Sequence, residues 1–263
     1  MNKSLKNITF LALISVLLLA VAGIVGGLFG KIVYYLAFII PVLLYAVRFR
    51  KDGARPLKLY TDRGQIKLLL PLIVPSIVVI ILISALTSLI LSLFGMENAT
   101  AIDSGVFTAI LDKALLPALL EESLYRYAFL AMLLAFSKKG AIFYSAIFFA
   151  FAHCDLFQIP YALVAGLIFA IVDVAFDSVL PSVIIHFLNN LISILWIFYF
   201  EGNEALFIAT LASLFVISII LIFAWRKKYA GLFKSAFTGE CAYFPTVTVF
   251  IGVTLLVAVT AII

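Results

Sequence analysis

Two adjacent carboxylates and a guanidinium, Glu121, Glu122 and Arg126, interrupt an apolar run in this chain of 263 residues. Each such group costs roughly 2.5–3.5 kcal/mol at the centre of a bilayer, even on lenient insertion scales. Three within six positions therefore require partners in a protein interior or a wet cavity. On an α-helix Glu122 and Arg126 are four apart and share a face, so they can pair. Glu121 is turned by about 100° from Glu122, so the two carboxylates cannot serve the arginine equally. One becomes the structural partner of Arg126 and the other is free to act as a general base. The chain has only two histidines, His153 and His186, both in apolar segments. Phe149 precedes His153 by one helical turn, and Asn190 follows His186 by one turn. An imidazole and an amide on one face can both donate to a developing oxyanion. The combination suits hydrolysis of a peptide bond by an activated water. The competing reading is structural: a buried Glu–Arg–Glu cluster that fixes packing, with interhelical polar clasps of ~0.6–2 kcal/mol each. Cys154 beside His153 invites a thiol nucleophile, but neighbours on a helix point apart.

Positioning such groups requires several helices, and the composition supplies them. The chain is 66% hydrophobic and 12% charged, with a mean hydropathy of +1.27. This implies an all-α, polytopic transmembrane bundle; the ~10-residue alternating segments of a membrane barrel are absent. Apolar runs at 8–29, 32–47, 68–94, 106–137, 141–158, 160–176, 181–200, 204–225 and 243–263 give about eight or nine spans in one membrane domain. The catalytic core falls at about 105–195, flanked by helices in 1–104 and 196–263. Lys3 and Lys6 begin like a signal peptide, but the apolar run continues to Phe29, which reads as an uncleaved first helix. Pro117 removes the donor that the Lys113 carbonyl would use, which favours a kink.

Basic residues set the orientation. Lys3, Lys6, seven in 48–67, Lys138, Lys139, three in 226–228 and Lys234 make fifteen of the 18 Lys and Arg. All fall on one side, so the positive-inside rule puts the N-terminus in the cytoplasm. Lys31 alone falls outside, while Lys113 and Arg126 lie within a span. Glu97, Asp103, Asp155, Glu201 and Glu204 occupy the outer loops and helix ends. The net charge of +5 is thus a topology signal, and no nucleic-acid partner is implied; the partners are membrane lipids and a peptide or membrane-protein substrate. The basic loop 48–67 reads as a topology determinant touching anionic headgroups, and 229–242 as an interfacial segment. Asp112 and Lys113 are expected to neutralise each other or neighbours, Asp177 to be solvated, and Asn189 to face away from the site as a clasp. Asp173 has no assigned role. Cys154 and Cys241 form no disulfide framework.

Taken together, Glu121-Glu122-x-x-x-Arg126, Phe149-x-x-x-His153 and His186-x-x-x-Asn190, on separate hydrophobic helices, resemble the three motifs of one family. This is the CAAX-protease and bacteriocin-processing family of intramembrane endopeptidases, or Abi family, with type II CAAX prenyl endopeptidases among its members. The stretch from Gly166 to Asn190 also resembles the family's approach to its last motif. The resemblance covers roughly 105–195. It implies that Glu121, helped by His153, activates water, that His186 and Asn190 receive the oxyanion, and that Glu122 and Arg126 hold the helix. It implies CAAX-type processing, or bacteriocin maturation and self-immunity, in the cell membrane. Two forms of the mechanism are compatible with these residues: a metal-free glutamate mechanism, or a divalent metal such as zinc held by Glu121, His153 and His186. A cytoplasmic opening of the site is expected. Depth raises one conflict: at ~1.5 Å per residue Glu121 lies ~25 Å from Lys138, but His186 only ~8 Å from Pro181. Outside this family, a non-catalytic scaffold or immunity protein, or a proton relay through Glu121, Glu122 and Asp173, would use the same polar groups.

Overall fold

The computed structural model describes residues 3–51, 55–96, 102, 104–200, 202–234 and 236–238. The expected last span 243–263, Cys241, Glu97, Asp103 and Glu201 lie outside the described residues. Among the described residues the chain is helical, with a single isolated parallel bridge between Lys58 and Ser178. The helices are α1 (Lys3–Val25), α2 (Gly27–Leu44, prolonged by a π-helical turn, Tyr45–Phe49), α3 (Arg63–Leu93) and α4 (106–133). They continue with α5 (Lys138–Phe151), α6 (Ile159–Phe176), α7 (Leu180–Phe200) and α8 (Glu204–Lys234).

Six of these are long and apolar enough to cross a membrane: α1, α2 with its π turn, α3, α6, α7 and α8. Two expected spans differ for identifiable reasons. The 141–158 segment is a 14-residue helix followed by a turn, because Asp155 accepts from the backbone N–H of Phe157 and from Gln158 Nε2 (both 2.8 Å) and ends the helical run. At ~1.5 Å per residue, α5 is too short to cross ~30 Å of hydrocarbon. The 106–137 segment is continuous to Leu133 but carries Asp112, Lys113, Glu121, Glu122 and Arg126. Those charges bury it among α2, α5, α6 and α7. Alanines fully buried along it, at 109, 114, 118 and 128, let these neighbours approach.

α4 is not a uniform α-helix. π-helical turns at Ile110–Leu115 and Ser123–Leu130 bracket the α-helical Leu116–Glu122, so Pro117 starts the short segment that ends on the two glutamates. π-helical turns inside helices are uncommon and concentrate at functional sites. α5 and α6 pack closely at Gly166, where an added Cβ would sit 3.0 Å from the Cα of Ala146. The reversal from α1 to α2 is one residue long, with Gly26 and Gly27 at φ 61° and 56°, in the left-handed region.

The basic loop has a second job besides marking topology. Its backbone docks on the turn between α6 and α7: Lys58 N–H donates to Asp177 O (3.1 Å) and Val179 N–H to Lys58 O (2.9 Å). Leu57 is buried, and Thr61 Oγ donates to Ser178 Oγ (3.1 Å). Asp177 is partly solvated as expected, pairs with Arg55 (3.6 Å) and takes a left-handed conformation that ends α6. Arg55 N–H also donates to Ala131 O (3.1 Å), which brings the end of α4 level with the α6–α7 turn. Glu122 is nine residues from Ala131 and His186 nine from Asp177, each ~13 Å along its helix. The depth conflict disappears: the turn before His186 lies inside the protein, under the basic loop.

Candidate active site

α4 presents its two glutamates in different directions. Glu122 is fully buried and points into the bundle, where its Oε2 lies 3.2 Å from Arg126 Nε, an ion-pair contact whose N–H is not aimed at the oxygen. Its Oε1 lies 2.8 Å from Nδ1 of His186. Arg126 is wedged between aromatic faces, its guanidinium carbon 5.0 Å from the Phe149 ring centre and 5.7 Å from that of Phe169. Its Nη2 donates to the Gly166 carbonyl (3.4 Å). Gly166 thus both permits the close approach of α5 and offers its carbonyl to Arg126. Such cation–π contacts help offset the cost of burying the charge.

Glu121 faces the other way, into a cavity of about 930 Å³ that His153, His186, Asn189 and Asn190 also line. Tyr34 on α2 donates to Glu121 Oε1 (3.3 Å), and Oε2 is buried with no hydrogen-bond partner among the described residues. His153 sits in the turn just past α5, its Nδ1 2.9 Å from the Phe149 carbonyl. A carbonyl only accepts, so Nδ1 carries the proton and Nε2 of the neutral ring is an acceptor. His186 is held the same way, through Nδ1 on Glu122, and is stacked on Phe169 (5.3 Å between ring centres) with the edge of Phe149 at 5.7 Å. Phe149 therefore touches Arg126, His153 and His186 at once.

Asn190 and Asn189 depart from expectation. Asn190 Nδ2 donates to the Lys113 carbonyl (3.2 Å), the very group whose α-helical donor Pro117 removes, and its Oδ1 accepts from Asn189 (3.2 Å). Asn189, expected to face elsewhere, lines the cavity, and its Oδ1 is buried without a protein partner. The phase of α7 explains this: the cavity meets that helix along a broad front from His186 to Ile197. Cys154 donates to the Phe151 carbonyl (3.6 Å), and burial pushes its thiol up, away from a nucleophilic thiolate. Asp112, expected to be neutralised by Lys113 or a neighbour, is paired with Lys31 and accepts from Tyr35 (3.2 Å).

Sequence reasoning missed Tyr34, Ser182 and the role of Asp173. Asp173 is buried and accepts both the backbone N–H (3.0 Å) and the hydroxyl (2.7 Å) of Ser182 in the first turn of α7. Tyr34 and Asp173 reach the site from other helices, which no spacing reveals, whereas Ser182 lies one turn before His186 on the same helix.

The expected zinc ligands were tested against the side chains. Among the described residues no three His, Cys, Asp or Glu side chains gather closely enough to hold an ion. Glu122 and the Phe149 carbonyl hold only Nδ1 of His186 and His153 and leave each Nε2 open. Glu121, His153 and His186 are nonetheless not gathered into a three-ligand centre, and no step below runs through a metal.

Residues 103–192 match the family model described as type II CAAX prenyl endopeptidase Rce1-like. This stretch, 90 of the 263 residues, is similar to that family. The match spans the two glutamates, Arg126, both histidines and Asn190, and it agrees with the resemblance drawn from the three motifs. The family is one of membrane-embedded proteases acting on peptides, and the apolar helices make this an integral membrane protein. No curated protein and no solved structure gives a significant match.

The cavity also bears on the expected opening. Its lining runs from mid-bundle to the end that carries Lys31, Asp112 and Asp155, and includes no residue of the basic loop. That end is opposite the N-terminus of α1. The lining thus reaches the end of the bundle away from the basic loop.

Proposed function

We propose that the protein is an intramembrane endopeptidase in which Glu121 activates the attacking water. The observation that carries this reading is the contrast between neighbours: Glu122 is consumed by Arg126 and His186, whereas Oε2 of Glu121 has no partner among the described residues at the cavity wall. A carboxylate oxygen so placed needs water or an N–H from a ligand. In the proposed step Glu121 takes a proton from water while the water oxygen bonds to the scissile carbonyl carbon. Nε2 of His153 can hold the second proton of that water. Charge developing on the carbonyl oxygen is met by His186 at the cavity wall, which as an imidazolium held through Nδ1 on Glu122 offers Nε2–H as a donor. Collapse breaks the C–N bond, and the proton on Glu121 passes to the leaving amine. Asn190 contributes to the oxyanion only if its amide leaves the Lys113 carbonyl, so it ranks below His186 in this reading.

The test is cleavage of a fluorogenic peptide library by the full chain purified in detergent. Glu121→Gln is expected to lower turnover by at least a hundredfold while the protein still elutes as a folded species. Equal cleavage by the two proteins would mean that the polar cluster is structural, as in a membrane scaffold or immunity protein.

A further inference from the structure

We propose that the cavity opens on the non-cytoplasmic face of the membrane and receives an exported peptide segment presented from that side. Two independent observations meet here. The first is charge. The starts of α1, α3 and α5, the ends of α2 and α8, and the basic loop lie at one end of the bundle. Tyr229 near the end of α8 donates to Leu68 O near the start of α3 (3.5 Å), and Arg55 ties the loop to α4 and to the α6–α7 turn. Fifteen of the 18 Lys and Arg fall at that end, a bias that fixes it in the cytoplasm. The second is the cavity, whose lining includes no residue of the docked loop and extends to the opposite end, where Lys31 and Asp112 line it.

The walls narrow the occupant. The deep end is polar, with Glu121 and His186, while the flank formed by Ile80, Ile81, Ile197, Leu211 and Leu214 on α3, α7 and α8 is apolar. An extended peptide with apolar side chains on one face fits both. The C-terminal tail of a cytoplasmic protein, prenylated or not, cannot reach a mouth on the far side of the bilayer. The substrate half of this inference rests on the endopeptidase reading; the orientation half does not.

Cysteine accessibility in intact cells separates them. In a background carrying Cys154→Ser and Cys241→Ser, Ser193→Cys inside the cavity and Tyr60→Cys on the basic loop are each exposed to a membrane-impermeant maleimide. The expected result is labelling of Ser193→Cys in intact cells, and of Tyr60→Cys only after permeabilisation. Any other pattern overturns the orientation. A fluorescent protein that matures only in the cytoplasm, fused to the N-terminus of the unsubstituted chain, gives the same answer without a cavity substitution; a dark fusion also overturns it. Right-side-out vesicles then test the substrate: apolar peptides added outside should be cleaved, and the same peptides trapped inside should survive. Outward labelling without cleavage would remove the peptidase reading and leave the orientation standing.

Discussion

Glu121 and Glu122 are consecutive residues with opposite duties, and the difference is electrostatic. Glu122 balances a guanidinium that is completely buried, together with an imidazole, so it cannot be lost cheaply. Glu122→Gln leaves Arg126 uncompensated in the interior, which typically costs ~3–5 kcal/mol. The expected outcome is a large drop in the thermal midpoint and in the yield of folded protein in detergent. Glu121→Gln should leave that midpoint nearly unchanged, because Oε2 has no partner among the described residues to lose and Tyr34 can still donate to the amide oxygen. A reversed ranking of the two midpoints would exchange their roles. The pairing of one glutamate with Arg126 follows from helical spacing alone. Which glutamate, and the further bond from Glu122 to His186, depends on which face of α4 meets α7.

At the level of elements, the site rests on how closely α5 and α6 approach. Gly166 permits that contact and exposes its carbonyl to Arg126, so a single methyl group has two consequences. Gly166→Ala should cost ~1–3 kcal/mol as overpacking, read as a lowered thermal midpoint, and should reduce cleavage further by displacing Arg126. A midpoint equal to that of the unsubstituted protein would show that α5 and α6 can part without penalty. Element boundaries are where the sequence was least legible. Apolar run length gave α1, α3, α6 and α7 to within several residues and the start of α8, since each is an almost unbroken apolar run. It overran α5, because the turn held by Asp155 is itself apolar in Leu156 and Phe157. The π-helical turns of α4 leave no signature in hydropathy, for they arise from packing around Pro117 and the buried charges.

Considered as a whole, the molecule is a bundle with a basic loop docked at one end and a cavity that reaches toward the other. The basic loop, legible as a topology signal, is also tied to the α6–α7 turn by backbone hydrogen bonds, at the level where α4 ends. Because no three ligating side chains converge among the described residues, cleavage is expected to persist in 1,10-phenanthroline or EDTA at millimolar concentration. Abolition by chelator and recovery with zinc would require the cavity side chains to rearrange into a ligand set.

The sequence by itself determined that this is a helical membrane protein and which end carries the positive charge. It also singled out the six polar residues whose burial had to be explained. Those conclusions follow from transfer free energies and helical periodicity, which are local properties of the chain. Tertiary structure alone decided that Glu122 rather than Glu121 is shared by Arg126 and His186, that Asn190 answers the carbonyl freed by Pro117, and which end of the bundle the cavity reaches. Each of these depends on side chains meeting across helices far apart in sequence, and no spacing along one helix encodes the face that its neighbour will present.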